Sequence, residues 1–120
     1  MHMKKILLVD DEPNIVMALE YSLKKKGYEV LIARDGEEAI KLFENIKPCL
    51  VILDIMMPKM DGFEVLEKIK EDEDDTSKVI FLSAKNKEED IQKGLDAGAD
   101  DYFTKPFSTK KLLDKIQSIY

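Results

Sequence analysis

Four short aliphatic runs, at residues 6–9, 30–33, 50–53 and 79–82, recur along the chain with helix-patterned segments between them. Each is apolar throughout rather than alternating, the pattern of a strand covered on both faces. Between the first two, Ile15, Leu19, Ser22 and Leu23 keep helical spacing. Pro13 suits a first helical turn, and Gly27 stands where a C-terminal cap belongs. The next helix follows Asp35-Gly36, puts Ala39, Ile40 and Phe43 on one face and stops at Pro48, with Glu37 and Glu38 favouring its N-terminal dipole. After the third run, a loop over 55–62 precedes a helix with inner face Phe63, Leu66 and Ile69. That helix ends in an acidic run over 71–75, which reads as a solvated loop. A fourth helix carries Ile91, Gly94 and Leu95 and closes at Gly98. A brief fifth strand around Tyr102 and Phe103 leads to Lys105-Pro106, and Ser108 caps a last helix whose Leu112, Leu113, Ile116 and Ile119 point inward.

Strict alternation of five strands and five helices predicts an α/β fold, a five-stranded parallel sheet with helices on both faces and right-handed crossovers. With five strands, the flavodoxin-like doubly wound order 2-1-3-4-5 is favoured over the other common order. The 120 residues read as one domain over 1–120, because a second would leave neither half enough apolar surface to bury. Charged residues make up 37% of the chain, but both signs are interspersed and 44% is apolar, which argues for a packed core over disorder. Nineteen basic residues against 25 acids give a net charge of -6, which speaks against direct nucleic-acid binding and against anionic membrane surfaces. The apolar runs fall far short of the ~20 residues a membrane span needs, and the N-terminus lacks a signal-peptide core, so the chain reads as soluble and unexported. The single Cys49 forms no internal disulfide, no Cys or His cluster offers a zinc site, and a reducing cytoplasm fits this usage. His2, the one histidine, lies in Met-His-Met before the first strand and is given no role.

Ligands of such sheets bind outside the carboxyl ends of the strands. Strand one ends in Asp10, Asp11 and Glu12, strand three in Asp54, strand four in Ser83 and Ala84, and strand five, after a short step, in Lys105. Strand two contributes nothing comparable. Carboxylates converging on adjacent strand ends repel one another and push their pKa values upward unless a counter-charge is present. Oxygen ligands without histidine or cysteine suit Mg2+, with Mn2+ as the alternative, and Mg2+ typically takes one or two carboxylates plus phosphate oxygens. Opposite the acids, Lys105 neutralises phosphoryl oxygens, while the Ser83 hydroxyl and the Ala84 amide donate hydrogen bonds to them. Asp54, on a central strand between the acidic pair and the serine-lysine side, reads as the nucleophile: a carboxylate is ionised at neutral pH and attacks phosphorus without a general base.

Asp10-Asp11 after strand one, Asp54 in Asp54-Ile55-Met56-Met57-Pro58-Lys59-Met60-Asp61-Gly62, Ser83-Ala84, Tyr102 and Lys105-Pro106-Phe107 stand in the order and spacing of a known family. Over essentially its whole length the chain resembles the receiver domains of two-component response regulators. The resemblance implies that Asp54 is phosphorylated from a phosphohistidine of a histidine kinase or phosphotransfer protein. Asp11 and the Met56 backbone carbonyl would then bind Mg2+ directly and Asp10 through water. It also implies a cis Lys105-Pro106 peptide, and a switch in which the Ser83 hydroxyl moves toward the phosphoryl group and Tyr102 turns inward behind it, to control an effector domain or protein. The segment Gly98-Ala99-Asp100-Asp101-Tyr102 resembles receivers of winged-helix transcription regulators, which implies a homodimer through the fourth helix, fifth strand and fifth helix. Asp100 or Asp101 would then meet Lys110, Lys111 or Lys115 across a twofold axis.

Plainer readings stand beside these. Asp10, Asp11 and Glu12 alone would be a helix N-terminal acidic cluster, Ser83 a loop cap, Lys105 a surface lysine and Tyr102 a half-buried strand aromatic. Cys49 reads as a buried, inert thiol. Three other functions compete. A magnesium-dependent phosphohydrolase would want a second aspartate two residues after Asp54, where Met56 stands. A flavodoxin-like cofactor carrier would not place three acids after strand one. A phosphorylation-independent interaction module would not need the full set Asp10, Asp11, Asp54, Ser83 and Lys105. The sequence therefore reads as a switch that catalyses its own phosphorylation without being a multiple-turnover enzyme.

Overall fold

The computed structural model describes residues 4–57, 60–72 and 75–119. Its elements alternate in chain order: β1 (Lys5–Val9), α1 (Pro13–Lys25), β2 (Glu29–Ala33), α2 (Gly36–Ile46), β3 (Leu50–Asp54), α3 (Gly62–Lys70), β4 (Lys78–Ser83), α4 (Glu88–Asp96), β5 (Asp101–Thr104) and α5 (Thr109–Ile119). The five strands pair in parallel in the order β2-β1-β3-β4-β5, with Leu7 opposite Leu31 and Val51, and Leu53 opposite Phe81.

The unbroken apolar runs follow from two separate cores. Successive strand side chains point to opposite faces. Leu7, Val9, Val51, Leu53, Val79 and Phe81 therefore pack with Ala39 and Phe43 of α2 and Val65, Leu66 and Ile69 of α3. Their neighbours Ile6, Leu8, Leu50, Ile52, Ile80 and Leu82 meet Val16, Leu19 and Leu23 of α1 and Leu112 and Ile116 of α5. β1 and β3 lie at the sheet's centre, and β3 is buried along its whole length.

Helix starts are fixed by local hydrogen bonds. The Asp35 carboxylate accepts from the Glu38 amide at 2.9 Å, Asp61 from Glu64 at 3.0 Å, and the Ser108 hydroxyl from Lys111 at 3.2 Å. Pro13 opens α1, but Glu12 before it makes no side-chain cap. Gly27 and Gly98 follow the ends of α1 and α4 with φ of 95° and 116°, the left-handed region that favours glycine. The strand runs read from the sequence agree with the structure to within a residue or two at each end. Helix α4 departs from its expected face: Gly94 is its one buried residue, and Leu95 points outward. Cys49 is half-buried, and its thiol donates to the Lys5 carbonyl at 3.3 Å. His2, Pro58, Lys59, Tyr120 and residues 73–74 of the acidic run lie outside the described residues. Among the described residues no helix is long and apolar enough to cross a membrane.

Candidate phosphoryl-transfer site

Parallel pairing brings the carboxyl ends of β1, β3, β4 and β5 to one edge of the sheet, where Asp10, Asp54, Ser83 and Lys105 meet. Asp10 follows β1 and is fully buried. One of its oxygens accepts the Glu12 amide at 2.9 Å, and the other, Oδ2, pairs with the Lys105 ammonium at 3.1 Å. Asp54 closes β3, buried to 3% exposure, and its Oδ1 accepts the Met56 amide at 3.2 Å. Lys105 Nζ also lies 2.9 Å from Glu12 and 3.5 Å from Asp54. The Glu12 carboxylate, which makes no helix cap, is engaged by this lysine.

Three negative charges thus face one positive charge. Burial pushes the Asp54 carboxyl up to about 6; the neighbouring Asp10 charge adds to this, while Lys105 and the Met56 amide pull the other way. For Lys105, burial opposes the charge. Hydrogen bonds to Glu12 and Asp10 and the charges of Asp54 and Asp10 outweigh it and hold the ammonium above the ordinary lysine range. Ligand oxygens of Asp10, Glu12 and Asp54 lie within 4.8 Å of one another. That excess of carboxylate over the single Lys105 ammonium, with oxygen donors alone, fits a hard divalent cation.

The opposite wall is built from β4 and β5. Ser83 is fully buried, and its hydroxyl accepts the Lys85 amide at 3.1 Å. The Lys105 amide donates to the Ser83 carbonyl at 2.7 Å, and the Lys105-Pro106 peptide is cis, as expected. Tyr102 lies inward, edge-on to Phe81 at 6.3 Å between ring centroids, and its hydroxyl donates to the Lys85 carbonyl at 2.8 Å. The inward position that the family resemblance implies for the switched state is therefore already occupied.

Of the residues expected at the site, Asp10, Asp54 and Lys105 converge, and Ser83 stands at the end of the neighbouring β4, joined to Lys105 through its backbone carbonyl. Asp11 is exposed and is not part of the three-carboxylate group, where Glu12 stands instead. Met56 meets Asp54 through its backbone amide and turns its side chain to solvent. Ala84 is exposed beside Ser83. Within the chain Asp101 pairs with Lys115 at 3.6 Å, while Asp100 accepts the Val79 amide at 2.8 Å and lies 3.9 Å from Lys78. The role of Glu12 as a partner of Lys105 had no separate signal in the sequence, since the pair spans 93 positions.

Comparison with known proteins agrees with this geometry. The sequence pattern of the family described as "Response regulator receiver domain" matches residues 6–117. The chain is 47% identical over 116 residues to the alkaline phosphatase synthesis transcriptional regulatory protein PhoP of Bacillus subtilis, a match covering 97% of this chain and 48% of that protein. It thus spans about half the length of that curated relative. Among solved structures it is similar to the Francisella response regulator 1452 receiver domain, with TM-score 0.91 and 32% identity over 98% of this chain and 96% of that one. The chemotaxis response regulator CheY4 of Vibrio cholerae gives TM-score 0.91 and 31% identity over 99% and 100%.

Proposed function

The chain belongs to the response regulator receiver domain family, and on that premise we propose that it is a phosphorylation-dependent switch of a two-component system, with Asp54 as phosphoacceptor. The observation that carries this reading is the buried Asp54 carboxylate at the end of β3, 3.5 Å from the Lys105 ammonium and beside Asp10. Asp54 attacks the phosphorus of a phosphohistidine on a histidine kinase or phosphotransfer protein. A P–O bond forms, the P–N bond breaks, and the imidazole leaves with a proton from solvent. Lys105 neutralises the phosphoryl oxygens, and the Ser83 hydroxyl and Ala84 amide donate to them.

Asp54, Asp11, the Met56 carbonyl and, through water, Asp10 would hold Mg2+, with Mn2+ sharing the same donor preference; Glu12 joins this set by its position. When bound, the ion supplies charge stabilisation to the transferred group. Burial of Asp54 limits the access of water to the acyl phosphate. With Met56 where a phosphohydrolase would place an acid, turnover is confined to the chain's own phosphoryl group. The whole of 1–120 acts as this one domain, in the cytoplasm, and it presents a changed surface of α4, β5 and α5 to an effector or to a second copy. The name of the Bacillus relative makes transcriptional regulation the output we assign.

Intact-mass measurement after incubation with acetyl phosphate tests this. A single phosphoryl adduct that requires Mg2+ and disappears in Asp54→Ala is the expected result. No adduct and no released phosphate with Mg2+ present would overturn it in favour of a phosphorylation-independent interaction module.

A further inference from the structure

The Asp35-Gly36 step starts α2, after the edge strand β2 that brings no chemistry to the site, and the function proposed above leaves it without a role. Gly36 is buried and keeps an ordinary backbone, so no left-handed φ calls for glycine there. Its bare Cα is instead a seat. A methyl added at Gly36 would come within 2.5 Å of both the Met60 Cβ and the Met60 carbonyl oxygen. Both atoms are fixed to the backbone, so relief by a side-chain rotation is closed off, and the Met60 backbone would have to retreat by roughly 1 Å to reach an ordinary contact.

Such a retreat does not stay at Met60. Asp61 caps α3, and Gly62 donates its amide to the Ile55 carbonyl at 2.8 Å. A Cβ at Gly62 would sit 2.7 Å from the Ile55 Cα and 2.8 Å from the Asp54 carbonyl oxygen, so this turn of chain already lies directly against the phosphoacceptor's backbone. The loop leaving Asp54 is closed on one flank by Gly62 and seated on the other by Gly36. Its register at the site is read by the Met56 amide on Asp54 Oδ1.

From this contact chain we infer that Gly36 is a positioning residue: through Met60, Asp61 and Gly62 it sets where the loop after Asp54 holds the Met56 peptide against the Asp54 carboxylate. The inference rests on the receiver reading for its consequence in chemistry, though not for its geometry. Helix propensity does not oppose Gly36→Ala, so a loss in that variant reports the contact with Met60 and not the helix.

The experiment compares wild type, Gly36→Ala, Met60→Gly and the double variant by circular dichroism, by the amide resonance of Met56, and by titration with Mg2+ alone. Expected in Gly36→Ala are a native-like fold with a lowered unfolding midpoint from the overpacked contact, a displaced Met56 amide, and Mg2+ affinity weakened by about tenfold, the scale for groups that orient metal ligands. Met60→Gly, which opens the same seat from the loop side without touching α2, is expected to displace the Met56 amide as well. The double variant, in which the new methyl occupies space vacated by the Met60 Cβ, recovers part of both losses. A wild-type Met56 resonance in the folded single variants overturns the inference, and Met60→Gly alone decides it should Gly36→Ala fail to fold. Absence of a phosphoryl adduct on wild type would instead strike the receiver reading and leave the Met56 resonance to judge Gly36.

Discussion

Asp54 holds its charge against its surroundings. In the unfolded chain its carboxyl ionises near 3.8, whereas burial, with the Asp10 charge beside it, raises that value to about 6 in the folded protein. The folded state therefore binds this proton more readily. The stability linked to it is fully present below pH 3.8 and is lost as pH rises through about 6. At pH 8 the metal-free protein therefore carries a buried charge that costs about 1–3 kcal/mol, because each tenfold gain in proton affinity on folding is worth about 1.4 kcal/mol. Replacing Asp54 by Asn removes the charge and leaves Lys105 still paired with Asp10 and Glu12. Thermal unfolding in chelator should show Asp54→Asn more stable than wild type at pH 8, with the two converging near pH 4. Parallel curves across that range would mean that the environment of Asp54 does not bear on its charge.

Helix α4 shows what an element-level pattern can and cannot tell. Its period picks out Ile91, Gly94 and Leu95 as one face. The structure buries Gly94, half-buries Ile91 and exposes Leu95, because the ring of Tyr102 occupies the space a larger face would fill. A Cβ at Gly94 would lie 2.8 Å from the Tyr102 Cδ2 and 3.1 Å from the Phe81 Cδ2. The fully buried Phe81 has no room to give, so Gly94→Ala is expected to drive the Tyr102 ring outward and break its hydrogen bond to the Lys85 carbonyl. Nitration mapped by peptide mass spectrometry reads this directly: Tyr102 is protected in wild type and modified in Gly94→Ala, with exposed Tyr21 as the internal reference. Continued protection of Tyr102 would show that the notch does not hold the ring. The strands and the remaining helices were legible because continuous apolar runs, Pro13, Gly27 and Ser108 act locally. The notch at Gly94, the Gly36 seat and the Glu12–Lys105 pair were not, since each depends on a residue distant in sequence, and a missing side chain leaves no periodic mark.

Across the whole molecule, a single sheet with two cores concentrates the site's chemistry at the carboxyl ends of the central strands, and that much followed from Asp10, Asp54, Ser83 and Lys105 standing at run ends. How a second copy would engage is set instead by which charges are already used. Asp101 and Lys115 pair within one chain, Lys110 holds Asp114 at 2.9 Å, and Asp100 secures the start of β4. A dimer through α4, β5 and α5 must exchange these intrachain pairs for interchain ones. Exposed lysine–carboxylate pairs are worth roughly 0–1 kcal/mol each, so the exchange yields little. Arg34, on the far edge strand's exit, is the chain's only arginine, so bidentate pairs are not available to strengthen it. Association should accordingly be weak, confined to the phosphorylated form and strongly screened by salt. Light scattering after treatment with a phosphoryl mimic is expected to give a dimer at low ionic strength and a monomer at about 0.5 M salt, where the Debye length falls below roughly 5 Å. A monomer at low salt would remove dimerisation through this face. A dimer indifferent to salt would mean that apolar contact from Ile91 and Leu95, rather than the acid–lysine pairs, holds the two copies together.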